Sequence, residues 1–100
     1  MDIVKAVKSE INKVAPENEV VLFGSRARGD HRKDSDWDFL ILLHSNAISQ
    51  QLKDEIQARL YEIELASDEV ITSIIHTKSD WEKMAVTPIY KSIKKEGFTA

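Results

Sequence analysis

The chain has 100 residues, 42% of them hydrophobic and 31% charged, with 14 basic against 17 acidic side chains for a net charge of −3, and no cysteine. That length allows one domain with a single modest core, and the composition is that of a globular rather than a disordered chain. Without cysteine there is no disulfide scaffold, thiolate zinc site or cysteine nucleophile, and the negative net charge confines any basic cluster to a local role.

The amino-terminal stretch MDIVKAVKSEIN is amphipathic and charged, with no apolar segment of signal-peptide length. The longest apolar run, FLILL, is far too short to span a membrane, so a cytoplasmic location is the expectation. Asp2 is placed to cap a first helix in which Ile3, Val7, Ile11 and Val14 recur at helical spacing, and Pro16 ends it. Residues 19–24, EVVLFG, read as a short buried strand closed by Gly24. Residues 36–43, DWDFLILL, read as a second strand, acidic at its start and apolar after. Residues 47–64 carry Ile48, Leu52, Ile56, Leu60 and Ile63 as one helical stripe. Residues 68–76, DEVITSIIH, are rich in β-branched side chains and read as a third strand. SDWE, residues 79–82, fits a capping box and predicts a helix start, which Pro88 interrupts. IYKSIKKEG then predicts a last short helix, with Lys94 and Lys95 near its end and Gly97 beyond it. This order predicts an α/β (α+β) sandwich, a small mixed sheet covered by helices, as one domain over residues 1–100. His31, His44 and His76 lack ligand spacing and read as surface or strand-end residues.

The stretch FGSRARGDHRKDSDWDFLILL, residues 23–43, carries the chemistry. Glycine lets backbone N–H groups approach an anion closely, and a helical turn after it directs further N–H groups the same way. Ser25 is placed to cap that turn and add a hydroxyl donor; from these two residues alone a plain strand-to-helix turn with a serine cap is the preferred reading. Side chains alternate along a strand, so Asp36 and Asp38 share one face, with Trp37 and Phe39 on the other. Two such carboxylates about 7 Å apart repel when ionised, and a divalent cation relieves that. Acids at the mouth of a strand that turns apolar at once are placed, not merely solvating. Mg²⁺ suits them, since it takes carboxylate oxygens, keeps water and is shared with substrate phosphates. Asp34, Asp36 and Asp38 also have the first spacings of a calcium loop, but the positions that need glycine and glutamate hold Phe39 and Ser45. No Gly-Lys-Ser/Thr follows Gly24 or Gly29, which excludes a Walker-type loop. Phosphoryl or nucleotidyl transfer accommodates the set: glycine-serine backbone for phosphates, aspartates for paired metals, arginines for the triphosphate charge.

Gly24-Ser25, ten residues, Asp36, one residue, Asp38 resembles the signature of the DNA polymerase β-like nucleotidyltransferase superfamily, and the whole string resembles its minimal nucleotidyltransferase branch. The motif covers roughly residues 20–43, and the element order agrees with the family fold across nearly the whole chain. The resemblance implies that Gly24 and Ser25 contact the β- and γ-phosphates of an NTP, with ATP the expected nucleotide. It implies that Asp36 and Asp38 are Mg²⁺ ligands, in a two-metal site, and that Arg26 lies near the phosphates. Arg28 matches the pattern too, either as a phosphate contact or as an ion-pair partner of a motif acid such as Asp34. The family supplies a third carboxylate from the next strand; here the strand interior offers Thr72 and Ser73 only, and Glu69 at its entry is the candidate. Asp68, Glu62 and Glu64 are the other acids nearby.

Two readings follow from the resemblance. One is a Mg²⁺-dependent enzyme moving AMP from ATP to an acceptor hydroxyl, as an antitoxin would on a separate HEPN-type helical partner. The other, motivated by the missing third acid, is a nucleotide- or partner-binding module of the same fold with weak or no turnover. Nucleic-acid binding through Arg26, Arg28, Arg32 and Lys33 fits less well, because no aromatic side chain lies among those cations to stack on bases. Trp37, Trp81 and Tyr90 are expected to pack rather than to present base platforms.

Overall fold

The structure, a computed structural model, describes residues 1–100. Helix α1, Ile3–Val14, starts where the Asp2 carboxylate accepts a hydrogen bond from the Lys5 N–H. It buries Ile3, Val7 and Ile11 against the sheet. The strands are β1, Asn18–Phe23; β2, Trp37–Leu43; β3, Ile71–Thr77; and β4, Phe98–Thr99, in the spatial order β3-β2-β1-β4. β1 runs antiparallel to β2 and β4, and β2 runs parallel to β3, so the sheet is mixed. The remaining helices are α2, Ser25–Arg28; α3, Gln50–Ser67; α4, Lys78–Glu82; and α5, Pro88–Glu96.

β2 explains why its sequence is a continuous apolar run rather than an alternation. Phe39, Ile41 and Leu43 enter the core shared with α1 and α3. Leu40 and Leu42 face the opposite way, onto Trp81, Tyr90 and Ile93 of α4 and α5. A strand covered on both faces has no solvent side to make polar. The result is the helix-covered mixed sheet expected from the element order.

Several boundaries differ from those read in the sequence, each for a local reason. α3 begins at Gln50 because the Ser49 hydroxyl accepts from Leu52 N–H, which leaves residues 47–49 outside it. α3 also runs on to Ser67 and stops at Asp68, which takes a left-handed conformation (φ 58°). Residues 68–70 therefore form a turn, and β3 starts only at Ile71. α4 is capped by the buried Thr77 hydroxyl, not by Ser79, because β3 runs straight into it. Pro88 does not interrupt a helix; it opens α5 behind the Thr87 cap, in the first turn, where a missing N–H costs nothing. β4 is two residues long, too short to show any period, and has no counterpart in the sequence reading.

Where β1 begins, Glu19 accepts from Lys78 Nζ at 3.0 Å and lies 2.8 Å from His44 Nε2. Lys78 first, then His44, holds its carboxyl below the ordinary range, against some opposition from burial. A depressed carboxyl adds stability that is present at neutral pH and is lost as pH falls through its folded pKa. Glu19→Gln should therefore lower the melting temperature at pH 7 by about 2–5 °C. The gap should close in acid, where both proteins carry a neutral side chain; calorimetry from pH 7 down to pH 3 reads it.

Candidate active site

The site begins with the pairing of β1 and β2. Their antiparallel register sets Phe23 opposite Asp38, so the end of one strand adjoins the acidic start of the other. Gly24 then leaves the sheet with φ 75° and ψ −160°, a conformation open essentially to glycine alone. A Cβ at Gly24 would overlap Asp38 Oδ2, so the Asp38 carboxylate lies directly on the Gly24 backbone. The chain closes one helical turn at once: Ala27 and Arg28 N–H donate to the Gly24 carbonyl, and Gly29 ends the turn in the left-handed region at φ 85°. Gly24 is the cap of α2 and Ser25 its first residue, which corrects the expectation that Ser25 itself caps the turn.

Asp36 is exposed, immediately ahead of β2, and Asp38 is half-buried within it. Trp37 and Phe39 point the other way, into the core with α1 and α3, as strand alternation requires. Burial, and then the charge of Asp36, push the Asp38 carboxyl above its ordinary range, while Thr72 and Arg28 pull it down. Thr72 pairs with Asp38 across the parallel β2–β3 register, and its hydroxyl donates to Asp36 Oδ2 at 3.4 Å. Two repelling carboxylates and a hydroxyl at one strand mouth fit a divalent cation, whose charge would relieve that repulsion. No group of three or more acidic, histidine or cysteine side chains stands ready to hold a metal. An ion here would therefore draw its remaining oxygens from water and substrate.

The long side chains go elsewhere than the sequence suggests. Arg26 is nearly buried, with its side chain 9% exposed. Its guanidinium donates from Nε and Nη2 to the Ser35 carbonyl and from Nη2 to that of Lys33, and lies over the Trp37 ring at 4.4 Å. It braces residues 33–35, the loop that delivers the aspartates. Glu69 follows Arg26: its carboxylate approaches that guanidinium at 3.8 Å. Glu69 thus pairs with the guanidinium that lies over Trp37, and Thr72 is the β3 residue hydrogen-bonded to Asp36. Arg28 pairs with Asp30 and Glu96, each at 3.2 Å, not with Asp34. Glu64 is more than a solvated helix acid, because Oε2 accepts the Ile71 N–H at 2.8 Å where β3 begins. Trp81 and Tyr90 are buried against each other with ring centroids 4.9 Å apart, which closes them as base platforms.

Arg26→Lys should cost about 1–3 kcal/mol in a urea melt, since lysine cannot reproduce the fork across two carbonyls or its stacking on Trp37. Fluorescence of Trp37 should shift with it. An unchanged midpoint would mean that the loop stands without the brace.

The sequence reading missed Glu96. Its Oε1 accepts from Gly24 N–H at 3.3 Å although the two residues lie 72 positions apart. One signal was present: an acid in the last turn of a helix sits against the negative end of the macrodipole and calls for another partner.

A family model described as a nucleotidyltransferase domain matches residues 1–97. The chain is similar to a Methanocaldococcus jannaschii protein named "Putative protein adenylyltransferase MJ0141", with 33% identity over 81 residues, covering 79% of this chain and 81% of the relative. Its fold is similar to a solved toxin-antitoxin structure with AMP-PNP, at a TM-score of 0.69 and 16% identity, across 99% of this chain and 72% of that one. A mutant of the toxin-antitoxin MntA-HpeT superposes with a TM-score of 0.65 at 16% identity, across 96% of this chain and 69% of that one.

Proposed function

The chain belongs to the nucleotidyltransferase domain family, and from that membership we propose that it transfers AMP from Mg²⁺-bound ATP to a hydroxyl group on a partner protein. One observation carries the reading: the Asp38 carboxylate packed on the Gly24 backbone, which brings an acid pair and a glycine-serine turn to one strand end. A protein acceptor is supported by the name of the archaeal relative, a protein adenylyltransferase. ATP is supported by the AMP-PNP in a neighbour of the same fold, and a separate protein partner by that neighbour's being a toxin-antitoxin; a HEPN-type partner is what the family resemblance implies. No helix of the chain is long and apolar enough to cross a membrane, and a cytoplasmic site of action accords with that.

The division of labour follows from the geometry. The Gly24–Ser25 turn offers backbone N–H groups and a hydroxyl to the β- and γ-phosphates. Arg28, exposed beside that turn, offers a charge-assisted contact to the same oxygens. Asp36 and Asp38 would hold Mg²⁺, with Thr72 fixing the orientation of Asp36. When bound, the metal would supply charge neutralisation at the reacting phosphate and favour the departure of pyrophosphate. Arg26 and Trp37 hold the loop that positions both acids.

The test is transfer from ATP labelled in the α-phosphate, set against ATP labelled in the γ-phosphate, with HEPN-type helical proteins as the acceptors tried. Label from the α position alone, matched by pyrophosphate release, is expected. Label from the γ position, or none, would sink the reading. A second reading, a nucleotide-binding module with slow turnover, is favoured by Glu69, which is paired with Arg26 rather than turned to the acids. Lack of an acid to take the acceptor proton typically costs about 10²–10⁴-fold. Saturable ATP binding without measurable pyrophosphate release would select it.

A further inference from the structure

The last residue of α5 reaches the glycine-serine turn. Besides accepting from Gly24 N–H, Glu96 accepts from Arg28 Nη1 with both carboxylate oxygens, at 3.2 and 3.4 Å. The Arg28 guanidinium is correspondingly held in its charged form, by Asp30 first and Glu96 second. The helix does nothing to favour Glu96 in its final turn, where the macrodipole is negative. What retains it there is a backbone N–H at the glycine turn and a guanidinium beside it. Those two donors, side by side, are what a phosphate group requires.

We infer that Glu96 is an internal occupant of the phosphate seat, which the incoming triphosphate displaces, so that this residue sets the affinity for nucleotide. The inference rests on the nucleotidyltransferase reading of the Gly24–Ser25 turn. Glu96 is the final residue of its helix, and Arg28 is exposed, so exchange requires the side chain to swing rather than α5 to unwind. A site that is open in only part of the molecules binds its ligand more weakly by that fraction. Removing the internal anion therefore improves binding instead of damaging it, the reverse of what a supporting residue does.

The experiment is calorimetric titration of the full chain and of its Glu96→Gln and Glu96→Ala variants, using ATP with Mg²⁺ and, separately, inorganic tripolyphosphate. Both variants should bind both probes about 3–10-fold more tightly, in the ratio set by the closed fraction. Adenosine, which has no phosphate, should show no gain. Thermal melts establish that the variants are folded. If the unaltered chain binds ATP and the variants bind it equally or more weakly, Glu96 is a brace for the turn and the inference falls while the nucleotidyltransferase reading stands. If no protein of the set binds either probe, both fall together.

Discussion

Asp38→Asn should abolish most nucleotidyl transfer, by about 10³-fold, and at the same time raise the melting temperature of the metal-free protein. The two effects share one cause. Asp38 is half-buried beside Asp36, and both burial and that neighbour raise its pKa. A carboxyl with a raised folded pKa works against the folded state wherever it is ionised; the folded state gains as pH falls through that pKa. Asparagine keeps the shape but removes the charge. At pH 7 the variant should melt a few degrees higher, on the scale of about 4–8 °C per kcal/mol for a domain of this size. In acid, where Asp38 is itself neutral, the two curves should converge. On the proposed role of Asp38, Mg²⁺ with ATP should raise the melting temperature of the unaltered chain and do much less for the variant, which lacks the charge to recruit the ion. A site built for binding stores instability that mutation can release, at the cost of function. Transfer at the unaltered rate would remove Asp38 from the chemistry. A lower melting temperature would show that the acids are not in conflict.

What was legible in the sequence was what is local. Gly24, Asp36 and Asp38 sit within one strand, one turn and the next strand, where alternation and glycine's freedom dictate which groups meet. The apolar stripe of α3 and the two-sided β2 were equally plain, since periodicity and burial are properties of a single segment. What escaped depends on the choice a long side chain makes among partners distant in sequence. Arg26 follows a glycine-serine pair and reads as a phosphate contact, yet it finds two carbonyls and an indole ring within its own loop. Glu69 reads as an acid at a strand entry, but Asp68 turns the chain through a left-handed conformation just before it, and Arg26 collects its carboxylate. Glu96 belongs to the far end of the chain and meets Gly24 only because α5 packs across the face formed by Leu40 and Leu42. Helix starts moved for a similar reason: Thr77 and Ser79 are both able caps, and the register of β3 decides between them.

The two glycines of the motif should respond very differently to a single methyl group, and the difference isolates the site from the turn. Both have positive φ, 75° at Gly24 and 85° at Gly29, so alanine is strained at either. At Gly29 the new Cβ meets nothing within 4 Å, and the conformation is the ordinary left-handed one at a helix end. The cost there should be only about 1 kcal/mol, with transfer kept within about twofold. At Gly24 the backbone region is one that residues with a side chain hardly enter, and the methyl group would overlap the Asp38 carboxylate. The strain should cost about 1–3 kcal/mol, and a melting temperature lower by about 10 °C is expected when overlap is added. Relief requires either the turn or Asp38 to move, and a displacement of about 1 Å in a carboxylate with the proposed metal-holding role costs about 10²-fold in rate. Gly24→Ala should therefore lose transfer even at temperatures where it remains folded, as circular dichroism would establish, whereas Gly29→Ala should not. Equal losses at the two positions would mean that the turn contributes only through stability, and that the close seating of Asp38 on Gly24 has no part in the chemistry.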